Sequence, residues 1–241
     1  MSRQLPTPPL HRGGLAGALA TLAGTPDDHS GVPDRLVTIA QLSAQRVAAV
    51  SYASVTARHD GAHTTVAASS AIAVAVDQAQ YADQAGPCLD AIGTGRPTPV
   101  PDIAVTMRWP GFRDTAYRLG LQTSLSIPLF AGRGEPIAAL NLYGHDPAAM
   151  AALTAAVWAT YDEAAPAAPD LPALDPGGAE LVAGLTEAFA VRAIIQQAIG
   201  VLLSERPGTA ESAYAALRLR AADAGEPLLG IAQAVVAGQG P

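Results

Sequence analysis

Four prolines, Pro166, Pro169, Pro172 and Pro176, fall between Ala164 and Gly178, and no continuous helix survives that density. From Asp146 to Gly178 there are five acids and no base. The stretch 164–178 therefore reads as an acidic, semi-extended linker. It divides the 241-residue chain into a larger unit over 31–163 and a smaller one over 179–241. Residues 1–30, rich in Pro and Gly without a sustained period, read as a flexible leader or a short extra helix.

Both units have enough apolar material for a core. The chain is 49% hydrophobic and only 15% charged, which excludes global disorder. Aromatics make up 5%, so the interior must rely on Ala, Val, Leu and Ile. All 14 basic residues are arginine, and the net charge is −7. That balance argues against a strongly basic nucleic-acid binder without excluding a local patch. No apolar run approaches the ~20 residues of a spanning helix, so no membrane is expected. The glycine-diluted stretch after Arg12 imitates a signal peptide only faintly, and a cytoplasmic protein is the expectation.

In the larger unit, Leu36, Ile39, Ala40, Val47 and Val50 mark an amphipathic helix. Residues 51–68 form a hairpin around His59-Asp60-Gly61, since Asp-Gly between β-rich runs favours a tight turn. Residues 71–92 are helical with a break at Gly86-Pro87, and a strand runs from Pro99 to Ile103. A short helix covers 112–119, ending at Gly120. Strands 121–130 and 137–143 flank the turn Gly132-Arg133-Gly134-Glu135, and another helix covers 147–163. Antiparallel strands flanked by helices define an α+β domain. In the smaller unit, residues 181–202 carry a long amphipathic helix. Thr209 caps a second helix to Ala224, and Pro227 opens a third. The result is a small all-α three-helix bundle.

Chemistry-bearing residues are few. The histidines at 11, 29, 59, 63 and 145 lack a Cys or carboxylate cluster beside them, so no metal site is expected. Gly132-Arg133-Gly134 lacks the helix that a phosphate loop needs. Ser124 and Ser126 alternate along a strand with no His/Asp pair to activate either. Cys88, the single cysteine, stands where a helix start would favour a thiolate. The other reading is a small buried hydrophobe, the usual state of a free cysteine. No catalytic residue is assigned, and the chain is not expected to be an enzyme.

Several segments resemble the GAF domains of bacterial regulators: Gly86-Pro87-Cys88-Leu89-Asp90-Ala91, Asp102-Ile103, Arg108-Trp109-Pro110-Gly111-Phe112, Ser126-Ile127-Pro128-Leu129 and Ala139-Leu140-Asn141-Leu142-Tyr143. The stretch from Arg192 to Leu203 resembles the first helix of an ANTAR domain. Ala213-Tyr214, Leu217-Arg218, Ala221, Ile231-Ala232 and Val235-Val236 extend that resemblance through two further helices. Residues 32–150 and 180–238 are covered, in the order found in GAF–ANTAR regulators.

The resemblance implies a GAF-like sensor that binds a small effector and often dimerises, followed by an ANTAR-like domain. ANTAR domains bind tandem stem-loops in nascent RNA and keep a terminator from forming. The implied function is transcription antitermination by a homodimer, with the effector and any cofactor unknown. The alternative is a dimeric protein-interaction module that has lost RNA binding. Arg192, Gln196, Gly200, Arg218 and Arg220 are the RNA-face candidates. Tyr81, Cys88, Trp109, Phe112 and Tyr143 are the candidate pocket residues.

Two departures stand out. Family members often carry lysine at the position of Ile199. At about 100° per residue, Arg192, Gln196, Ile199 and Leu203 share one helix face, opposed to a core face of Val191, Ile194, Ala198 and Leu202. An exposed Ile199/Leu203 strip is what the interaction-module alternative expects. From 179 to 241 four arginines face six acids, a net −2, so phosphate contacts would be few. The prolines also interrupt the helix that in related proteins joins sensor to output.

Overall fold

The computed structural model describes residues 14–59, 61–162, 170–205 and 207–238. The larger unit is built on a five-stranded sheet of β1 (Tyr52–His59), β2 (Ala62–Ala68), β3 (Thr98–Val100), β4 (Thr123–Phe130) and β5 (Pro136–Gly144). Its strand order is β2-β1-β5-β4-β3, and every pairing is antiparallel. Gly61, at φ +81°, supplies the left-handed turn between β1 and β2; a side chain there would be strained.

Pleating sends alternate residues to opposite faces, and both faces are covered. Ala53 and Val55 of β1, Leu125, Ile127 and Leu129 of β4, and Leu140 and Leu142 of β5 form one apolar core. α2 (Val32–Arg46) and α6 (Pro147–Tyr161) pack on this face. The opposite face carries Ser54, Thr56, Ser124, Ser126, Asn141 and Tyr143, all buried. It is closed by α3 (Ala71–Ala82) and α4 (Pro87–Thr94), with α5 (Pro110–Arg118) against α3. This is the expected α+β domain with a sheet flanked by helices.

Three further helices form the small bundle: α7 (Pro176–Glu205), α8 (Ala210–Ala224) and α9 (Leu228–Val236). Val191, Ile195, Ala198, Ile199 and Leu202 of α7 pack with Tyr214 and Leu217 of α8 and with Leu228, Ala232 and Val235 of α9. Thr209 caps α8 through a reciprocal pair: its Oγ1 accepts from the Ser212 N–H at 3.2 Å, and the Ser212 Oγ accepts from its own N–H at 3.0 Å. Gly225, at φ +66°, ends that helix.

The two ends of the larger unit add to the sequence reading. Of the two readings of residues 1–30, the short extra helix is the one seen over Leu15–Ala23, α1. Leu15, Leu19 and Leu22 stand four and three residues apart and lie on one side. All three are buried in the sheet's apolar core, worth roughly 2 kcal/mol each. At the other end, 164–169 of the expected linker lie outside the described residues, but its last three residues begin α7. Proline is well placed in a first helical turn, where its missing N–H costs nothing, and Pro176 sits there. Asp175 caps the helix, its Oδ2 accepting from the N–H of Gly177 at 2.9 Å and of Gly178 at 3.2 Å.

α7 consequently belongs to two cores. Leu181 and Leu185 pack with the sheet, while Val191 and the residues after it pack in the bundle. Its 30 residues extend over about 45 Å. α1 lies along it so closely that a Cβ on Gly184 would come 2.6 Å from the Ala16 Cα.

Candidate functional site

On the polar face of the sheet the side chains bond to one another. The Tyr143 hydroxyl donates to Asp77 Oδ1 at 2.6 Å, and Thr65 Oγ1 donates to Asp77 Oδ2 at 2.8 Å. Asn141 Nδ2 reaches Thr56 Oγ1 at 2.9 Å and Asp77 Oδ1 at 3.2 Å, while its Oδ1 accepts from Ser126 at 3.0 Å. The Tyr81 hydroxyl lies 2.8 Å from Thr56 Oγ1 and 2.9 Å from Thr65 Oγ1. Gln80, one turn after Asp77 on α3, accepts from the Cys88 N–H at 2.9 Å and donates to Tyr143 at 3.3 Å. One group is left over: the buried Ser124 Oγ has no hydrogen-bond partner.

Asp77 is the electrostatic centre of this cluster. Burial raises its pKa, and the hydrogen bonds from Tyr143, Ser54, Thr65 and Asn141 act against that rise. Burial, reinforced by the Asp77 charge, raises both Tyr81 and Tyr143. The same two causes push the Cys88 thiol up to about 12. A thiol so placed stays protonated at neutral pH, so of the two readings of Cys88 the structure favours the buried one.

The five candidate pocket residues thus fall into two neighbouring groups. Tyr81, Cys88 and Tyr143 border the polar cluster. Trp109 and Phe112 stack edge to face at 6.4 Å between ring centroids, in the apolar cluster that also contains Tyr143. Asp77, Gln80, Thr56, Thr65 and Asn141 escaped the sequence reading. The available signal was the pairing of polar alternation in three strands (Ser54/Thr56, Ser124/Ser126, Asn141/Tyr143) with Asp77 and Gln80 at helical spacing on α3.

The second group of candidates lies where the bundle meets the sheet domain. The Arg192 guanidinium sits over the Phe130 ring, 4.2 Å from its centroid, and burial lowers its pKa. Phe189, one turn earlier, packs edge to face on Tyr161 at 4.6 Å. Gln196 Nε2 donates to the Arg133 carbonyl in the β4–β5 turn. Arg218 pairs with Asp28, and the Tyr214 hydroxyl donates to Asp27 Oδ1 at 3.2 Å. Asp27 and Asp28 belong to the connection between α1 and α2.

Beside these contacts lies a cleft of about 510 Å³, lined by Arg133, Glu135, Phe189, Arg192, Gln196 and Ile199 among others. Gly200 is exposed, and a Cβ there would meet nothing within 4 Å, so it marks no close approach within the chain. Arg220 is half-buried on α8, with no hydrogen bond or ion pair among the described residues.

Ile199 corrects the sequence reading. It is only 4% exposed and belongs to the bundle core, and Leu203 is half-buried. The exposed apolar strip of the interaction-module alternative is therefore absent among the described residues. The physical reason is that the buried face of α7 is wider than one stripe: Val191, Ile195, Ala198, Ile199 and Leu202 all pack in the bundle core, with Leu203 partly buried against it.

The architecture is a sheet-and-helix domain coupled through α7 to a small helical bundle. Comparison with family models assigns both parts. Residues 30–160 match the GAF domain and residues 183–236 match the ANTAR domain, and the chain belongs to the GAF family with a C-terminal ANTAR domain. A search of the curated proteins found no match. The two domains define a regulator with a sensor and an RNA-binding output, and neither is a catalytic family. Among the described residues no helix is long and apolar enough to cross a membrane.

Proposed function

We propose that this protein is a cytoplasmic transcription antiterminator in which a small effector, sensed by the GAF domain, controls RNA binding by the ANTAR bundle. The observation that carries this reading is α7, a single helix built into both cores. A change in the sheet domain that shifts Leu181 or Leu185 moves Arg192 and Gln196 with it, because a packed helix transmits displacement with little compliance. The interrupted connection at the prolines does not separate the domains mechanically.

The effector site in this reading is the polar face around Asp77, with Tyr81, Cys88, Trp109, Phe112 and Tyr143 at its border. Its hydroxyls, amides and carboxyl suit a small polar molecule. Ser124, buried without a partner, is its unused hydrogen-bonding position. Arg192, Gln196, Gly200, Arg218 and Arg220 are the RNA contacts in this reading, Arg218 and Arg220 standing about 200° apart on α8 and so on different sides of it, and a homodimer doubles their small number of phosphate contacts.

The test is titration of the full-length protein against a tandem stem-loop RNA at roughly 50 and 200 mM salt, with terminator read-through measured alongside. Binding should weaken as salt rises. Arg220→Ala is the informative variant, since Arg220 has no ion pair to the sensor to lose. It should weaken binding uniformly across sequences and reduce the salt slope by about one. Salt-independent binding, or an unchanged slope in Arg220→Ala, would count against the RNA face.

A further inference from the structure

Three of the five RNA-face candidates are engaged by the sensor side of this same chain. Arg192 is covered by Phe130 at 4.2 Å, Gln196 is bonded to the Arg133 carbonyl, and Arg218 is paired with Asp28. The bundle's described residues include three arginines, at 192, 218 and 220, so two of its three described cations face the sensor. We propose that the structure is the RNA-excluded state, in which the segment 14–30 and the β4–β5 turn form a docking surface that closes the RNA face. This inference rests on the RNA-binding reading above.

The chemistry of the docking surface fits the part. Asp28 offers Arg218 a carboxylate, the partner that most resembles a phosphate oxygen in charge and geometry. Asp27 takes the hydroxyl of Tyr214, one helical turn before Arg218, and also lies 3.8 Å from Arg133 Nε. Phe130 offers Arg192 an aromatic face, which attracts a guanidinium without neutralising it. A phosphate backbone must displace all of these at once to reach the helix.

The segment 14–30 also ties the docking surface together. Leu15, Leu19 and Leu22 anchor it in the sheet domain's core, whereas Ala23 packs in the bundle's core. The Ala23 carbonyl accepts from the Gly132 N–H at 3.2 Å, which fixes the β4–β5 turn to the end of α1. Gly134 in that turn has φ +87°, and a Cβ on it would come 2.9 Å from both Arg192 Nε and Gln196 Nε2. The turn therefore lies directly against two of the three RNA-face candidates of α7, Arg192 and Gln196. Residues 15–28 precede both family matches, which begin at 30 and 183. Of the clamp's two parts, residues 15–28 therefore lie outside both matched ranges, and the β4–β5 turn lies within the GAF match.

The experiment compares the full-length protein with the double variant Asp27→Asn, Asp28→Asn. Two quantities are read: amide hydrogen exchange in 210–224, and affinity for a tandem stem-loop RNA. Both substitutions keep side-chain size, and circular dichroism checks that the fold is unchanged. The expected result is faster exchange in α8 together with RNA binding tighter by about tenfold, an ordinary magnitude for coupling between sites. A second variant, Asp28→Arg with Arg218→Glu, reverses the pair and should restore slow exchange, whereas Asp28→Arg alone should not.

The failures are distinguishable. If the double variant exchanges faster in α8 while its RNA affinity equals that of a wild type that does bind, the masking proposal is wrong and the RNA reading stands. If α8 loosens and no form of the protein binds RNA, the RNA reading falls and masking falls with it. If neither exchange nor affinity moves, Asp27 and Asp28 do not hold the bundle, and the clamp is overturned.

Discussion

On one face of the sheet Leu125, Ile127, Leu140 and Leu142 pack against leucines of α1 and α7, whereas on the other Ser126, Asn141 and Tyr143 bond to Asp77. Solvent is excluded from both. The apolar face is held by non-directional burial, which tolerates small rearrangements and transmits them to whatever packs on it. The polar face is held by directional bonds in a low-dielectric setting, where an unpaired group such as the Ser124 hydroxyl is costly. The sheet, one residue thick, stands between the polar cluster around Asp77 and the helix α7 that enters the bundle.

The comparison is broken most severely by emptying the apolar face. Leu140→Ala leaves a cavity in the core shared by β5 and α7, and should cost about 3 kcal/mol. Because Leu181 and Leu185 of α7 share that core, the loss should appear as a lower urea midpoint for the whole molecule. Far-UV ellipticity and tryptophan fluorescence should fall together. Two separated transitions would show that α7 does not couple the domains.

The polar face is sharpened by pH. Burial raises the pKa of Asp77 above its ordinary 3.8, so the folded protein binds this proton more tightly than the unfolded chain does. The stability tied to that proton is complete below the unfolded value and is lost as pH rises through the folded one. Asp77→Asn should remove this component, leaving a urea midpoint that falls less than the wild type's between about pH 4 and pH 8. Equal slopes would mean that the surrounding donors offset the cost of burying the charge.

How much of this was legible in the sequence depended on whether the determining contact was local. The hairpin at Gly61, the Thr209 cap and the breaks at Gly86-Pro87 and Gly225 are settled within a few residues, and their signals were read directly. The family resemblance supplied the domain order. Ile199 was placed on an exposed face because a helical wheel knows only its own helix, and the packing of α8 and α9 that buries it in the bundle core is tertiary. Residues 15–22 carried a visible i, i+4, i+7 leucine pattern, diluted by Gly17 and three alanines. Pro176 looked like a breaker because Pro172, four residues before it, lies where no helix forms. The Asp77 cluster required knowing that three strands and α3 converge, which no single segment reveals.

The smallest expected effect lies farthest from the sheet. Thr209→Ala removes the acceptor for the Ser212 N–H, at a cost of about 1 kcal/mol. That loss should be confined to the first turn of α8, because the cap touches neither face of the sheet. Exchange in 210–214 should quicken by about fivefold, the population change that 1 kcal/mol produces. The urea midpoint of the sheet domain and its pH slope should not move. Tyr214 is the link to watch, since it is both a core residue of the bundle and the donor to Asp27. If fraying of the first turn releases Tyr214, RNA affinity should rise slightly in this variant as well, in the direction of the Asp27→Asn, Asp28→Asn variant and by less. If affinity is unchanged while 210–214 exchange faster, the Arg218–Asp28 pair holds the bundle by itself, and the clamp is centred one turn further along α8.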